Sequence, residues 1–235
     1  MRLSKLVASY LKLNNVRLLV ACLMLATEPE AFGTSSAESD ITMGNPVYSG
    51  SGCPSESTSF TLAPDEKSIS FLFDQFHVQT GGETGNLVDI KKCRIKIPMT
   101  TPRGVQVAIV QLDYRGYNNL PAGARSKLET AYSFTKPNHL KFIKNKTSYH
   151  TERFGSSSDH VDENYTFTHK PKRLLWSRCG GDFNLLIQAQ MKAKTNVNEE
   201  ETLSTVDSID GSTVNSDEGS SNNIKYHFAT RSCQK

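Results

Sequence analysis

The stretch VQVAIVQLDY at residues 105–114 decides the fold class of this chain. Val105, Val107 and Ile109 line one face of an extended strand, and Ala108, Val110, Leu112 and Tyr114 line the other. A strand with apolar side chains on both faces is typical of the middle of a sheet, where both faces are covered. We therefore predict a central β-strand here, followed by a loop at residues 115–123.

The same period-two alternation recurs on both sides of this strand, as expected of half-buried strands. Phe76 and Val78 have the opposite parity to Ile69 and Phe71, which predicts a bend or bulge near Asp74. The further predicted strands cover residues 59–62, 68–78, 93–97, 128–134, 183–191 and 224–228. Polar loops are predicted at residues 151–164, 196–201 and 211–223. Because no helical period is sustained, we predict an all-β, antiparallel sandwich or jelly roll stabilised by disulfides.

The N-terminus has the composition of an export signal. Basic residues precede an uncharged apolar run at residues 18–26, which is too short to span a bilayer, and a small-x-small site follows at residues 31–33. We predict a signal peptide at residues 1–33, an N-terminal extension at 34–51 and a single domain at 52–235. A buried helix is the alternative interpretation. Residues 19–22 also resemble a lipobox ending at Cys22, so a lipid anchor is a second alternative.

The charge of the predicted mature chain is close to neutral. The full chain carries a net charge of +3, and the predicted signal peptide removes four basic and two acidic residues, which leaves +1. A nucleic-acid groove needs a concentrated basic stripe, so we expect no nucleic-acid partner. Because no second apolar run of membrane length occurs, we expect no membrane span in the mature form. The expected location is extracellular, with attachment to the cell envelope as an option.

Four cysteines remain after removal of the predicted signal peptide: Cys53, Cys93, Cys179 and Cys233. An even number in an exported chain predicts two disulfides, and neither zinc-ligand spacing nor a C-x-x-C pair occurs. Four cysteines allow three pairings. Cys53–Cys93 with Cys179–Cys233 is favoured because these bonds close the shorter loops. In the chain-entropy model a 40-residue loop contributes about 4 kcal/mol.

The common catalytic signatures are absent from the sequence. It contains no G-x-S-x-G elbow, no H-E-x-x-H motif and no phosphate-binding loop, and the six histidines are scattered. We therefore assign no catalytic residue, no metal ligand and no cofactor. Asp74 and Asp113 lie at strong strands and are the candidates for a carboxylate-dependent hydrolase. Residues 207–211 hint at a calcium loop, for which a plain turn is the alternative.

The motif DYRGY at residues 113–117 supplies the candidate binding surface. Tyr114, Arg115 and Tyr117 offer aromatic faces and a cation for stacking on sugars, and Trp176 is the only tryptophan of the chain. The alternative is a structural corner, with Gly116 at positive φ and the tyrosine hydroxyls bonded to a turn. Trp176 is then expected to pack against a disulfide. Asn145 and Asn164 begin glycosylation sequons.

Several short motifs occur together in a fixed order. They are GCP (52–54), LAPD (62–65), FDQF (73–76), KC (92–93), DYRGY (113–117), LPAGA (120–124), WSRCGG (176–181), TVDS (205–208) and YHF (226–228) before Cys233. Together they resemble the secreted proteins grouped as the domain of unknown function DUF4360. Two departures are visible: Arg178 replaces the proline of a W-S-P-C-G motif, and no tryptophan occurs at Ala229 or Thr230.

The resemblance implies a secreted, β-rich protein with structural disulfides, and it brings no catalytic residues. From the residues and the resemblance we expect a non-enzymatic extracellular module that binds a glycan or a cell-surface protein. A secreted hydrolase acting through carboxylates is one alternative. A structural protein of the cell envelope or matrix is the other.

Overall fold

The stretches of alternating apolar residues form the longest strands. A computed structural model describes residues 41–63, 68–138, 147–196, 199–209 and 226–233. The strands are β1 (Thr42–Met43), β2 (Val47–Ser49), β3 (Thr58–Leu62), β4 (Ser68–Phe73), β5 (His77–Thr80), β6 (Val88–Thr101), β7 (Val105–Leu120), β8 (Arg125–Thr135), β9 (Ser148–Phe154), β10 (Val161–His169), β11 (Gly181–Lys194), β12 (Thr202–Thr205), β13 (Ser208–Ile209) and β14 (Tyr226–Ser232). Within these ranges the helical elements are two short 3₁₀ turns, Ser55–Ser57 and Gly82–Thr84.

The strands form two antiparallel sheets. Sheet A has the order β1-β6-β11-β8-β9, with β2 also paired to β6. Sheet B has the order β13-β4-β14-β7-β12-β5, with β3 paired to β4 and β10 paired to β7. The predicted central strand is β7, which pairs with β10, β12, β13 and β14. The predicted antiparallel, all-β fold class is confirmed.

One hydrophobic core lies between the sheets. Its largest fully buried side chains come from both sheets: Tyr114, Phe71, Phe76, Phe183, Ile69, Ile95, Ile97, Met99, Ile109, Leu112 and Leu120. Hydrogen bonds also cross between the sheets, since the Tyr114 hydroxyl of β7 donates to Thr130 Oγ1 of β8 at 3.0 Å. The described residues therefore form a sandwich in which each sheet buries one face and exposes the other.

Two predicted loops are strands. β7 continues through the predicted loop at 115–123 as far as Leu120, and the predicted loop at 151–164 contains the end of β9 and the start of β10. In β10 only alternate residues are covered, namely Tyr165, Phe167 and His169, while their neighbours are exposed. Because such strands bury one face and leave polar residues on the other, their composition resembles that of a loop. The predicted bend near Asp74 separates β4 from β5.

One disulfide links a strand to a connecting segment, and the other links two segments that flank strands. Cys53 is bonded to Cys93 of β6, with 5.2 Å between Cα atoms, and both cysteines are buried in the core. Cys179, which precedes β11, is bonded to Cys233, which follows β14, with 5.9 Å between Cα atoms. This is the pairing that the shorter loops favour. The first bond lies inside the sandwich, whereas Cys179 of the second is exposed.

Candidate functional site

The exposed face of sheet A is formed by alternate residues of four neighbouring strands. Successive side chains of a strand point to opposite faces. In β6 the buried residues Cys93, Ile95 and Ile97 point into the core, so Lys92 and Arg94 point outward. The same alternation runs through β11, β8 and β9. This exposed side of the four strands is called the A face below.

Tyr149 lies on β9, the edge strand of the A face, and is 63% exposed. It lies opposite Ala131 of β8, and Ala131 lies opposite Gln188 of β11. Glu129 and Gln190 occupy the next outward row of the same strands, and these residues line one depression together with Tyr149. An exposed ring surrounded by amide and carboxylate groups combines an apolar surface with several hydrogen-bonding atoms.

Side-chain hydrogen bonds hold these polar groups in place. The Gln190 amide donates to Glu129 Oε2 at 3.3 Å, and Lys127 Nζ lies 2.9 Å from the same oxygen. The Arg94 guanidinium donates to Gln188 Oε1 at 3.4 Å. The bonds made by Gln190 and Arg94 run across neighbouring strands, and the Lys127–Glu129 pair lies within β8, so these polar groups are oriented before any ligand arrives.

One end of the A face carries a concentrated positive charge. Arg125, Lys127, Arg153, Lys192 and Lys194 line a pocket of about 340 Å³. The remaining lining residues are Ser126, Phe154 and Gly155, so none of the described residues that line this pocket carries a carboxylate. The five cations and their enclosure are called the basic pocket below. Its residues come from three strands that are far apart in sequence, and only the pairing of β8 with β9 and β11 brings them together.

The large hydrophobic side chains that are exposed within the described ranges lie on or next to one sheet. They are Val47, Leu87, Val88, Ile90 and Tyr149. Four of them lie on strands of sheet A, and Leu87 directly precedes β6. They are spread over the sheet rather than gathered in one patch, since Val47 lies opposite Lys96 and Tyr149 lies three strands from β6.

Tyr114 requires a correction to the predicted binding surface, because it is buried. Its side chain is 1% exposed, and its ring stacks on Phe167 with 4.9 Å between centroids. The physical reason is a register irregularity between β7 and β14. On β7 the core positions Ile109 and Leu112 are three residues apart, so the inward parity changes there. Tyr114 therefore shares its face with Leu112 and points into the core, where burial raises the pKa of its hydroxyl.

Tyr117, Arg115 and Trp176 lie on sheet B or beside it and are partly exposed. The Tyr117 hydroxyl donates to Asp162 Oδ1 at 2.6 Å, and this bond raises the pKa of Tyr117. The Arg231 guanidinium lies 4.0 Å from the centroid of the Trp176 ring. The side chains of Tyr117 and Trp176 thus both contact other residues of the fold, and neither lies on the A face. The predicted surface is therefore not one cluster, because Tyr114 points away from it.

Gly116 has a different role from the one expected of it. The φ of Gly116 is not positive, so this residue does not supply a left-handed turn. A Cβ at this position would lie 2.2 Å from the Thr205 carbonyl oxygen and 2.6 Å from the Tyr165 hydroxyl. Glycine is required here because β7, β10 and the end of β12 approach one another closely.

The two candidate catalytic carboxylates are not brought together. Asp113 lies within β7, is 6% exposed, and accepts hydrogen bonds from Gln111 Nε2 and Thr168 Oγ1. Asp74 is an exposed residue between β4 and β5. Tyr226 of β14 lies opposite both Leu112 of β7 and Ile69 of β4. Asp113 comes one residue after Leu112, whereas Asp74 comes five residues after Ile69. Asp74 therefore lies about four residues, or about 13 Å, farther along the sheet than Asp113. A glycosidase pair needs two carboxyl groups about 5–10 Å apart across one sugar.

The other predicted features are placed as follows. In the part of the chain that the structure describes, no group of three or more His, Cys, Asp or Glu side chains is suited to hold a metal. Residues 210 and 211 of the predicted calcium loop lie outside the described residues, as do the signal peptide with Cys22 and the asparagine of the first sequon, Asn145. Asn164 is exposed on β10. Over the described ranges, no helix has the length and apolar character needed to cross a membrane.

The residues of the A face were missed by the sequence reasoning, although one signal pointed to them. Gln188 and Gln190 alternate with Ile187, Ala189 and Met191, which marks them as outward residues of a strong strand. Tyr149 gave no such signal, because β9 is an edge strand in a polar stretch. The basic pocket gave none either, since its cations come from separate strands.

Comparison with curated proteins places the chain among secreted proteins. It is 28% identical over 168 residues to an uncharacterized secreted protein of Arthroderma benhamiae, an alignment that covers 71% of this chain. The chain spans 64% of the length of that relative. The two disulfides agree with an extracellular location. The protein is therefore secreted.

Comparison with solved structures gives only distant similarities. One is TmCBM61 in complex with β-1,4-galactotriose, at 6% identity and a TM-score of 0.23, covering 80% of this chain and 88% of the other. Another is a family 11 carbohydrate-binding module from Clostridium thermocellum in complex with a mixed-linked tetrasaccharide. It has 6% identity and a TM-score of 0.19, and covers 75% of this chain and 90% of the other. TM-scores this low carry no argument about the ligand.

A family model also matches most of the chain. The match runs over residues 39–233 and so includes both disulfides and every strand described above. The motif order from residue 52 to Cys233 agrees with this match. The chain belongs to the family described as Domain of unknown function (DUF4360).

Proposed function

We propose that this secreted protein is a non-enzymatic binding module that holds a glycan on the A face. The observation that carries the proposal is Tyr149, a ring 63% exposed on the edge strand of a sheet face and beside oriented polar groups. A sugar ring has an apolar C–H side and a rim of hydroxyls. A site with one aromatic surface and a few placed hydrogen-bonding groups is complementary to both.

The A face is long enough for a chain of sugars rather than one unit. Three depressions follow one another across it. The first lies beside Gly50 and Arg94, the second beside Tyr149, and the third is the basic pocket. Gln188 lines the first two, so they are contiguous. A shallow, extended surface of this kind fits a polymer lying along it.

Binding without hydrolysis is favoured by the carboxylates. Glu129 is the carboxylate that lines the depression at Tyr149, and its Oε2 is shared by Lys127 and Gln190. General acid–base cleavage of a glycosidic bond needs two carboxyl groups with separate environments. Asp74 and Asp113 do not provide this pair, as described above. The proposal therefore assigns recognition, not turnover, to the A face.

The experiment is a retention assay with the secreted protein purified from the culture medium of an expression host. It is incubated with a panel of insoluble polysaccharides and with intact cells, and soluble sugars are assayed in the same tubes. We expect saturable retention on at least one polysaccharide without release of sugars. Release of sugars would contradict the non-enzymatic assignment. Absence of retention on every polysaccharide would overturn glycan binding in favour of a structural or protein-binding role.

Three variants locate the site. Tyr149→Ala removes the exposed ring and is expected to weaken retention by about tenfold, since a buried aromatic contact contributes about 1.5–3 kcal/mol. Tyr149→Phe keeps the ring and is expected to retain most of the affinity. Tyr117→Ala removes the partly exposed tyrosine of sheet B, which the sequence proposed as a contact. Loss of retention in Tyr117→Ala together with full retention in Tyr149→Ala would move the site to sheet B.

A further inference from the structure

We infer that the glycan is anionic and that the basic pocket binds its carboxylate or sulfate groups. This inference rests on the proposed function, because the basic pocket lies on the same A face. It adds the chemical class of the ligand, which Tyr149 and the surrounding amides leave open.

The cations of the basic pocket face one another directly. Lys192 lies opposite Lys127, Lys127 lies opposite Arg153, and Lys194 lies opposite Arg125. Side chains at opposite positions of antiparallel strands have Cβ atoms about 4.5–5.5 Å apart, and like charges placed there are destabilising. An arrangement that weakens the free protein is expected where an anion relieves the repulsion on binding.

Most of this charge is not neutralised by the described part of the chain. Lys127 pairs with Glu129 at 2.9 Å, but Arg125, Arg153, Lys192 and Lys194 form no ion pair with a described residue. Five of the 27 Lys and Arg residues of the chain thus share one pocket, in a protein whose net charge is only +3.

The basic pocket and the depression at Tyr149 are joined through one residue, Glu129. Glu129 Oε2 contacts Lys127 of the basic pocket and Gln190 of the depression at Tyr149. A ligand that crosses this residue meets a hydroxyl-binding region and then a cationic one. A polysaccharide with a charged group on some of its sugars presents both chemistries along one chain.

A nucleic-acid strand fits the pocket less well. Proteins that bind single strands interleave cations with aromatic surfaces on which bases stack. The aromatic residue of the basic pocket is Phe154, and its ring packs on Tyr165 with 4.5 Å between centroids. Since this ring is partly buried and packs against Tyr165, the pocket offers five cations but only a small stacking surface. The observations favour an anionic polysaccharide.

The experiment compares polymers that differ only in charge. Binding is measured at low salt to polygalacturonate and its methyl ester, to dextran sulfate and dextran, and to a single-stranded DNA oligonucleotide. We expect at least one charged polymer to bind about tenfold or more tightly than its neutral partner, with affinity that falls as salt is raised. The pair that shows the difference identifies carboxylate or sulfate.

A double variant connects this effect to the basic pocket. Lys192→Gln with Lys194→Gln is expected to abolish most of the preference for the charged polymer. The matched control is Lys170→Gln with Lys172→Gln, which removes the same charge from exposed lysines after β10 and is expected to bind like the unmodified protein. If the control loses as much affinity as the pocket variant, the binding is simple ion exchange and the inference is wrong.

Thermal denaturation supplies an independent readout. Without ligand, the Lys192→Gln and Lys194→Gln variant is expected to melt at a higher temperature than the unmodified protein, because like-charge repulsion is removed. The preferred charged polymer should stabilise the unmodified protein more than the variant. An unchanged or lower melting temperature of the free variant would contradict the repulsion argument.

The outcomes separate the inference from the proposed function. Equal binding of neutral and charged polymers, lost in Tyr149→Ala, would overturn the anionic ligand and leave glycan binding intact. Binding of DNA alone, lost in the pocket variant, would overturn both. Preference for a charged polymer that disappears only in the pocket variant supports both.

Discussion

The imidazole rings of His150 and His169 lie 4.0 Å apart between centroids and join the edge of sheet A to the edge of sheet B. His150 belongs to β9 and His169 to β10. Tyr114 and Phe167 pack beside the pair. Desolvation, reinforced by His150, lowers the pKa of His169 to about 4. The sandwich is therefore closed at this end by rings of which at least one stays neutral in the folded protein.

This pair predicts a loss of stability in mild acid. A histidine whose pKa is lowered on folding contributes fully above its unfolded value of about 6.5, and its contribution falls as the pH drops from there toward 4. We expect the change from pH 7 to pH 5 to cost about 1 kcal/mol, less than the full shift because the ring is half-buried and water screens it. His169→Phe, compared with the unmodified protein by urea denaturation at both pH values, should remove this part of the pH dependence. An equal loss in the variant would contradict the assignment.

Gly116 predicts a position that tolerates no side chain. Because a Cβ there would meet the Thr205 carbonyl at 2.2 Å, Gly116→Ala should lower the free energy of unfolding by about 3 kcal/mol. Gly85 is the comparison, since it has φ of 63° and open space around it. Gly85→Ala is expected to cost about 1 kcal/mol, from backbone strain alone. Similar costs for the two variants, measured by guanidinium denaturation, would refute the packing argument.

The two disulfides are predicted to differ in their rate of reduction. Cys53 and Cys93 are buried, whereas Cys179 is exposed and Cys233 is partly exposed. Since thiol–disulfide exchange requires access to a sulfur atom, Cys179–Cys233 should be reduced first by mild dithiothreitol under native conditions. Alkylation followed by mass spectrometry of peptides measures the order. Earlier alkylation of Cys53 or Cys93 would show that the buried bond is not protected by the sandwich.

Tyr114 predicts a stability effect without a binding effect. Tyr114→Phe leaves the Thr130 hydroxyl without its bond from Tyr114 in the core, and we expect it to cost about 1 kcal/mol. Because the ring points away from solvent, glycan retention of the folded variant should be unchanged. Reduced retention at full folding, judged by circular dichroism, would return Tyr114 to the binding surface.

The sequence by itself determined the secondary structure of the strongly buried elements. Val107 and Ile109 of β7, like Phe183 and Ile187 of β11, carry a period of two that is local and independent of the partner strand. The same local reasoning favoured Cys53–Cys93, because loop closure depends on separation along the chain. The edge strands β9 and β10 were not predicted from this pattern, because a strand covered on one side keeps polar residues on the other.

Only the tertiary structure decided which residues meet on a surface. The parity change between Ile109 and Leu112 turns Tyr114 into the core, and it depends on an irregular pairing with β14. The basic pocket depends on Lys192 lying opposite Lys127 and Lys127 lying opposite Arg153. The alternation of inward and outward side chains along one strand can be predicted from the local sequence. The neighbouring strand and its register cannot, because they are set by the packing of two whole sheets against one core.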